Sequence, residues 1–247
     1  MANSIYEAIL AIEKLRPRTV AVLTGAGVSA ESGIPTFRGA GGLWEGFRAE
    51  DLATPSAFRN DPERVWRWYE WRRDLIRKAL PNKAHLALAA LTHVTTVHTT
   101  LITQNVDALH DRAGSRNIIE LHGSLFRTRC VADGAVEAAR EPFPQLPPRC
   151  SCGSLLRPDV VWFGEALDSE DLDRSAAAVA AADLLLVLGT SGVVHPAAGL
   201  VSLFTGSLSV EVNPVASALS PLLDFALELP AAQAVPLLVH AITRSQR

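Results

Sequence analysis

Short apolar runs rich in β-branched residues recur along the chain, with little alternation between hydrophobic and polar positions. Four of them are TVAVLTG at 19–25, TTLITQN at 99–105, LLLVLGT at 184–190 and SLSVEVN at 207–213. A strand inside a parallel sheet is buried on both faces, so its apolar positions are continuous. The pattern therefore predicts a parallel sheet flanked by helices.

Helical patterns separate these runs, as in NKAHLALAALTHV at 82–94 and SEDLDRSAAAVAAAD at 169–183. The first 18 residues alternate charged and apolar side chains at helical spacing, which is typical of an amphipathic helix and not of a signal peptide. A further helix is expected to start at Asp61 as N-cap, with Pro62 at its first position. The fold class is therefore α/β with a Rossmann-like sheet.

Two segments interrupt this alternation of strands and helices. Residues 36–80 have no apolar run typical of a central strand and contain four of the five tryptophans, whereas residues 126–158 are rich in Pro and Arg and contain every cysteine. We predict that both are insertions which form a smaller lobe, with a binding cleft between the lobes. The larger lobe would then consist of residues 1–35, 81–125 and 159–247.

Composition narrows the class of protein. The chain has 247 residues, of which 48% are hydrophobic, and its formal net charge is −3. No basic excess indicates a nucleic-acid partner, and the apolar runs are too short to span a bilayer. Three cysteines are an odd number, which argues against a disulfide framework. We expect a cytoplasmic protein with no membrane partner and no specific nucleic-acid binding.

The first predicted strand leads into TGAGVSAESGIPTFRG. Gly25, Ala26, Gly27 and Ala30 form a G-x-G-x-x-A pattern between a strand and a helix, as in loops that bind a dinucleotide pyrophosphate. Glycine-rich turns also serve packing alone. A dehydrogenase would add a second strand ending in an acidic residue about 20 positions later, and this chain has a loop there instead. The motif thus predicts nicotinamide cofactor binding without hydride transfer.

Polar side chains follow two other predicted strands. Gln104, Asn105 and Asp107 lie at the carboxyl end of the second run, where open α/β sheets bind ligands. Asp107 could equally be the N-cap of the next helix. His122 ends the strand in IIELHGS and is a natural general base near neutral pH. A structural role is the default for histidines without such a setting, among them His85, His93, His98, His110 and His195.

Six motifs follow one another in the order found in sirtuins, and the chain resembles this family over nearly its whole length. The motifs are GAGVSAESGIPTFRG, TQNVDALH, ELHGS, LRPDVVWFGE, LGTS and EVNP. Sirtuins are NAD-dependent protein-lysine deacylases with a large Rossmann lobe and a small helical and zinc-binding lobe. The resemblance implies the same two lobes, NAD as cofactor and acylated-lysine proteins or peptides as substrates.

The resemblance also assigns residues to the cofactor site. The residues that would contact NAD are Gly25, Ala26, Gly27, Ser29, Glu31, Phe37, Arg38, Gln104, Asn105, Asp107, Gly189, Thr190, Ser191, Asn213 and Ala231. By the same similarity, Glu211 and Val212 would adjoin the adenosine end. His122 would take a proton from the ribose hydroxyls, and Asn105 and Asp107 would be the other catalytic residues. The products would be nicotinamide, O-acyl-ADP-ribose and free lysine.

Substrate-binding residues follow from two further similarities. Val160, Val161, Trp162, Phe163 and Gly164 resemble the strand that pairs with the substrate peptide. Tyr69 and Arg72 match the Y-x-x-R signature of bacterial class III sirtuins, which bind the carboxylate of succinyl- or malonyl-lysine. Ala40 would leave room for the longer acyl chain. The alternative for Tyr69 and Arg72 is an ordinary amphipathic helix with aromatics in the core and arginines in solvent.

The cysteine pattern departs from the family, which usually carries two C-x-x-C pairs. Cys130 matches the first ligand, Asp133 occupies the position of the second, and the other pair is shortened to Cys150 and Cys152. Carboxylates can bind zinc, so a site with three cysteines and Asp133 is chemically possible. The expectation is a degenerate zinc ribbon that stabilises the small lobe. A redox site is the weaker alternative.

Rival functions within the family remain open at this point. Some sirtuin-like proteins transfer ADP-ribose to proteins or hydrolyse NAD, and these need neither a carboxylate clamp nor a peptide-pairing strand. A non-catalytic NAD-binding module would not need His122 together with Asn105 and Asp107. The sequence favours a desuccinylase and demalonylase that also removes acetyl groups.

Overall fold

A six-stranded parallel sheet forms the centre of the larger lobe. The computed structural model describes residues 4–36, 48–139 and 142–246. Within these ranges the strands are β1 (Thr19–Thr24), β2 (His98–Thr103), β3 (Ile118–Glu120), β4 (Gly123–Cys130), β5 (Val136–Ala138), β6 (Leu156–Val160), β7 (Leu184–Leu188), β8 (Leu208–Val212) and β9 (Phe225–Leu227). The order of the large sheet is β3-β2-β1-β7-β8-β9, and every pairing in it is parallel.

This order is that of the doubly wound Rossmann fold. The four apolar runs predicted as strands all form strands of this sheet, because β1, β2, β7 and β8 are buried on both faces. The strand order reverses between β1 and β7, because β2 and β3 lie on one side of β1 and β7 to β9 lie on the other. Ligands of open α/β sheets bind beyond the carboxyl ends of strands at such a point, so the fold locates the site before any side chain is considered.

Helices cover both faces of the large sheet. The described helices are α1 (Ile5–Leu15), α2 (Gly27–Ala30), α3 (Ala49–Leu52), α4 (Pro55–Asn60), α5 (Pro62–Lys78), α6 (Lys83–Thr92), α7 (Leu109–Arg112), α8 (Ser169–Ala180) and α9 (Ala231–Arg244), with 3₁₀ turns at Ala197–Leu203 and Ser220–Leu222. Helices α1, α6 and α9 share one apolar cluster with the sheet. Helix α8 and the first 3₁₀ turn pack on the opposite face.

A third apolar cluster lies apart from the large sheet. It joins helices α3 to α5 to the antiparallel sheet β5-β4-β6. Trp66 on α5 donates its indole N–H to the carbonyl of Leu156 at 2.9 Å, and the buried Arg73 donates to the carbonyl of Leu125 at 2.6 Å. These described parts of residues 36–80 and 126–158 therefore pack together, which supports the proposed small lobe. Its exact boundaries stay a prediction.

Local signals account for the helix that later contributes to the site. Asp61 accepts a hydrogen bond from the backbone N–H of Arg64 at 3.0 Å, and Pro62 is the first residue of α5, as predicted. Val65, Trp66, Trp68 and Tyr69 on this helix are buried.

Among the described residues, no helix is long and apolar enough to cross a bilayer.

Candidate active site

A cleft of about 440 Å³ opens at the carboxyl ends of β1, β2 and β7. Both lobes contribute to its wall. The predicted larger lobe supplies the glycine turns after β1 and β7 and the segment after β6, and the predicted smaller lobe supplies α5. The sequence-predicted residues that line it are Gly25, Ala26, Gly27, Tyr69, Arg72, Gln104, Asn105, His122, Val160, Val161, Trp162, Phe163, Gly164, Gly189, Thr190, Ser191 and Asn213.

The two glycine turns pack backbone against backbone. Gly27 donates its N–H to the carbonyl of Gly189 at 2.8 Å. A Cβ added to Gly27 would lie 2.8 Å from that carbonyl oxygen, and one added to Gly189 would lie 2.4 Å from the nitrogen of Val28. Gly189 also has φ +59°, a conformation that glycine adopts without strain. Glycine is therefore required where the turns meet, and its backbone is open to a ligand that lies across them.

Side-chain amides connect the turn after β7 to its neighbours. Gln104 donates to the hydroxyl of Thr190 at 3.2 Å, and Asn213 donates to the backbone carbonyl of Thr190 at 3.2 Å. Since Gln104 follows β2 and Asn213 follows β8, these bonds join three strand ends into one rim. Gln104, Thr190 and Asn213, which the resemblance assigned to the cofactor, lie on this rim.

Asn105, Ser29 and Asp107 form a buried polar network beneath the cleft. The amide of Asn105 donates to the carbonyl of Gly25 at 3.1 Å and to the Ser29 hydroxyl at 3.3 Å. Ser29 in turn donates to a carboxylate oxygen of Asp107 at 2.7 Å. The other oxygen of Asp107 accepts the backbone N–H of Leu109 at 2.9 Å, but the N-cap of α7 is Ala108, so the prediction of Asp107 as N-cap was wrong by one residue.

His122 presents its imidazole to the cleft. Its Nδ1 lies 2.9 Å from the backbone carbonyl oxygen of Gln104. A carbonyl can only accept a hydrogen bond, so Nδ1 carries the hydrogen and Nε2 is left with a lone pair. Burial lowers the pKa of His122, and the Gln104 carbonyl offsets this only in part. The ring is therefore neutral near pH 7 and able to accept a proton.

Two further histidines lie deeper and pack against each other. The rings of His85 and His110 have their centroids 4.8 Å apart. His85 contacts the Ser29 hydroxyl at 3.4 Å, and His110 contacts the Thr24 hydroxyl at 3.1 Å. Burial lowers the pKa of His85 to about 4 and that of His110 to about 3. Both histidines are therefore neutral near pH 7 and have a structural role beneath the cleft.

Tyr69 and Arg72 line the same cleft as His122. The Tyr69 hydroxyl accepts the indole N–H of Trp162 at 2.8 Å, and the guanidinium of Arg72 lies 5.4 Å from the ring centroid of Trp68. Burial raises the pKa of Tyr69 and lowers that of Arg72, while Tyr69 and Asp107 favour the charged form of the guanidinium. The arrangement places a neutral hydroxyl and a half-buried cation at the same cleft wall.

The segment that resembles a peptide-pairing strand begins at the last residue of β6. Beyond Val160 it is irregular in backbone conformation. Val161 donates its backbone N–H to the carbonyl of His122 at 3.0 Å, and Phe163 donates to the carbonyl of Ala53 at 2.9 Å. The segment thus connects His122 to Ala53, and Phe163 remains 44% exposed at the cleft.

Several sequence-predicted residues lie elsewhere. The carboxylate of Glu31 accepts the backbone N–H of Ala232 at 2.7 Å at the start of α9, next to the buried Ala231. Glu211 is buried and accepts hydrogen bonds from Ser217 and Ser220. Glu31 and Glu211 thus make hydrogen bonds that connect elements of the predicted larger lobe. Phe37, Arg38 and Ala40 lie outside the described residues.

The structure adds lining residues that the sequence did not single out. They are Thr36, Glu50, Ala53, Trp68, Val106, Glu165, Leu167, Val194, His195, Pro196 and Val215. His195, to which the sequence gave only a structural role, is exposed at this wall. Its position six residues after Gly189, in a turn at the carboxyl end of β7, was the available signal.

The three cysteines and Asp133 form the cluster expected of a degenerate zinc ribbon. One donor atom from each of Cys130, Asp133, Cys150 and Cys152 can be chosen so that all lie within 4.8 Å of one another. The sulfur atoms of Cys130 and Cys152 are 3.6 Å apart. Zn–S bonds of about 2.3 Å in a tetrahedron separate two sulfurs by about 3.8 Å. The donor set therefore fits zinc.

Together, the fold and the cleft define a dinucleotide-binding α/β protein with a neutral imidazole at the site. Comparison with known proteins gives the family. The Sir2 family model matches residues 25–196, and the chain belongs to the Sir2 family.

Relatives of known sequence support this assignment. "NAD-dependent protein deacylase 2" of Pyrobaculum aerophilum is 49% identical over 233 residues, covering 93% of each chain. "NAD-dependent protein deacylase" of Pyrococcus furiosus is 50% identical over 230 residues, covering 90% of this chain and 92% of the relative.

Solved structures agree. A Sir2 homolog–NAD complex superposes with a TM-score of 0.90 at 45% identity, covering 100% of this chain and 96% of that one. A Sir2–p53 peptide–NAD⁺ complex has a TM-score of 0.83 at 32% identity, covering 94% and 96%.

Proposed function

We propose that this protein removes acyl groups from protein lysine side chains in an NAD-dependent reaction, and that it prefers acyl groups ending in a carboxylate. Family membership and the deacylase relatives support the reaction. The observation that carries the preference is that Tyr69 and Arg72 line the same cleft as His122. Succinyl- and malonyl-lysine are the substrates of this description, and acetyl-lysine is a poorer one.

The glycine turns and the rim above them fit NAD. Gly25 and Gly27 pack against Gly189, where a side chain would collide with the opposite turn. Gln104, Thr190, Ser191 and Asn213 would hold the sugar and phosphate groups, while Phe37 and Arg38 remain assigned by resemblance. When bound, NAD supplies the ribose carbon that receives the acyl oxygen as nicotinamide leaves.

His122 would act as the general base for a ribose hydroxyl. Its Nδ1–H is held by the Gln104 carbonyl at 2.9 Å, which directs the basic Nε2 away from that bond. General bases of this kind contribute about 10²–10⁴ to a rate. Asn105 and Asp107 would bind the nicotinamide end, and their buried hydrogen bonds with Ser29 keep both side chains in fixed positions.

The substrate peptide would bind along residues 160–164. The backbone N–H groups of Val161 and Phe163 already donate to His122 and Ala53, and the carbonyls of Val160 and Trp162 already accept hydrogen bonds. Pairing with a peptide would therefore use the other carbonyl oxygens of this segment. Pairing through the backbone is indifferent to the side chains of the substrate. We therefore expect acceptance of many peptide sequences, with selection resting on the acyl group.

Charge explains why a carboxylate would be preferred. The half-buried guanidinium of Arg72 carries a positive charge at the cleft wall, and a carboxylate that reaches it can form strong charge-assisted hydrogen bonds. The Tyr69 hydroxyl remains protonated because burial raises its pKa, so it can donate to the same carboxylate. An acetyl group brings only a methyl group towards these polar partners.

We also propose that zinc binds Cys130, Cys150, Cys152 and Asp133 and has a structural role. The backbone N–H of Ala135 donates to Asp133 at 2.9 Å and holds the pKa of this carboxyl below its ordinary value, together with the Cys130 thiol. An ionised carboxylate is the form that binds a metal. The three free thiols also favour a reducing compartment, and we place the protein in the cytoplasm.

The test is a comparison of kcat/KM on one peptide carrying acetyl-, succinyl- or malonyl-lysine. We expect the succinyl and malonyl peptides to exceed the acetyl peptide by at least about tenfold, the effect of one strong hydrogen bond. Equal values, or a preference for acetyl, would exclude the carboxylate preference. Transfer of ADP-ribose to the peptide would instead favour the transferase alternative.

A further inference from the structure

We propose that Trp162 determines the acyl preference of the cleft by fixing the direction of the Tyr69 hydroxyl hydrogen. Trp162 lies 93 residues from Tyr69 along the chain, and its indole N–H donates to the Tyr69 oxygen at 2.8 Å. Both side chains are buried, with 3% of each exposed. The inference rests on the proposed carboxylate clamp and names the residue that would make it selective.

The direction of the Tyr69 hydroxyl hydrogen follows from the hydrogen bond with Trp162. A phenolic hydroxyl has one hydrogen and can both donate and accept. Because the indole N–H of Trp162 points at the Tyr69 oxygen, the hydroxyl hydrogen cannot point back along the same line. Tyr69 is thereby committed to donate in another direction. A substrate carboxylate can only accept, so a hydroxyl hydrogen directed at it need not be reoriented on binding.

Trp162 is held in place from several sides. The guanidinium carbon of Arg157 lies 3.4 Å from the centroid of the Trp162 ring, and the Phe58 ring centroid lies 5.2 Å from it. Arg157 donates two hydrogen bonds to Glu165, at 2.6 and 2.8 Å. Glu165 also accepts the backbone N–H of Trp162 at 2.9 Å.

Glu165, Arg157 and Trp162 therefore each contact the other two. The bidentate pair restricts the guanidinium to one plane, and that plane supports the indole ring. An indole with this support presents its N–H in one direction. Trp162 is therefore a positioning residue that acts on the acyl group through Tyr69.

The test uses Trp162→Phe, which keeps an aromatic ring beside Arg157 and Phe58 but removes the N–H. The quantity measured is the ratio of kcat/KM for succinyl-peptide to kcat/KM for acetyl-peptide. We expect this ratio to fall about tenfold, mainly through KM of the succinyl-peptide. On the Tyr69→Phe background the same substitution should change the ratio by less than about twofold, because the two residues act through one hydroxyl.

The outcomes separate this inference from the function on which it rests. If Tyr69→Phe lowers the ratio but Trp162→Phe does not, the clamp stands and the role of Trp162 is wrong. A full additional loss in the double variant would also contradict it, since Trp162 would then act independently. If Tyr69→Phe leaves the ratio unchanged, the clamp itself fails and the inference falls with it.

A second variant covers a loss of folding in Trp162→Phe, judged by its circular dichroism and melting temperature. Arg157→Lys keeps the charge but removes the planar fork that supports the indole. We expect the ratio to fall at least threefold in Arg157→Lys and to be insensitive to this change on the Tyr69→Phe background. An unchanged ratio in Arg157→Lys would contradict the positioning role.

Discussion

The Nδ1 atom of His122 lies 2.9 Å from the carbonyl oxygen of Gln104. This single contact fixes the tautomer of the imidazole, because the carbonyl must receive the hydrogen. It also ties the proposed base to the residue that precedes Asn105 at the end of β2. The sheet therefore sets both the position and the protonation pattern of the base.

Replacement of His122 tests the assigned base. His122→Ala should lower kcat/KM for deacylation by about 10²–10⁴, because the ribose hydroxyl loses its proton acceptor. NAD affinity, measured by calorimetry, should change less than about threefold, since the glycine turns are untouched. His98→Ala is the matched control, as His98 is exposed at the start of β2. Retained turnover in His122→Ala would exclude this residue as the base.

Replacement of Arg72 tests the acyl preference. Arg72→Met keeps the length of the side chain and removes its charge, so desuccinylation should fall by about tenfold or more relative to deacetylation. The measurement is the pair of kcat/KM values on matched peptides. Arg67→Met is the control on the same helix, because Arg67 is 64% exposed and pairs with Glu63. An equal loss of both activities would count against the clamp.

Metal content tests the role of Asp133. Purified protein should contain about one zinc per chain, and Asp133→Ala should lose it to a chelator sooner and melt at a lower temperature. Asp133→Cys should hold zinc longer, because it restores four thiolates. The control is Asp173→Ala on the exposed side of α8. Protein that melts at the same temperature with and without chelator would contradict a structural zinc.

The buried pair His85 and His110 predicts an acid-sensitive fold. Their pKa values in the folded protein are about 4 and about 3, below the ordinary 6.5. Neutral histidine is favoured in the fold, so this stability is complete above pH 6.5 and is lost as pH falls below it. His110 alone should contribute a loss of about 2 kcal/mol between pH 7 and pH 5.

Urea unfolding at several pH values measures this effect. His110→Gln should flatten the fall in the free energy of unfolding between pH 7 and pH 5 by about 2 kcal/mol, since one titrating group is removed. His93→Gln is the control, as His93 is exposed. An unaltered slope in His110→Gln would show that other groups cause the acid sensitivity.

Much of the fold followed from local patterns. Continuous apolar runs identified β1, β2, β7 and β8 because central parallel strands are buried on both faces. The edge strand Phe225–Leu227 was missed, since it has three residues and two of them are only half-buried. The order of the strands depends on pairings between distant segments, and no local pattern carries it.

The residues of the candidate site were likewise predictable only in part. Glycine turns and strand ends placed Gly25 and His122 in one cleft because a parallel sheet brings its carboxyl ends to one edge. The contact between Trp162 and Tyr69 could not be predicted, as it joins helix α5 to the segment after β6, which is 93 residues away along the chain. His195 was missed because it follows its strand by several residues.

Nicotinamide release with and without a succinyl-lysine peptide tests whether cleavage of NAD is coupled to deacylation of lysine. The account predicts slow release with NAD alone, and a large increase with peptide in which one free lysine forms for each nicotinamide. An unmodified peptide of the same sequence is the control and should produce no increase. Release at the same rate without the acylated peptide would contradict the account and identify an NAD hydrolase instead.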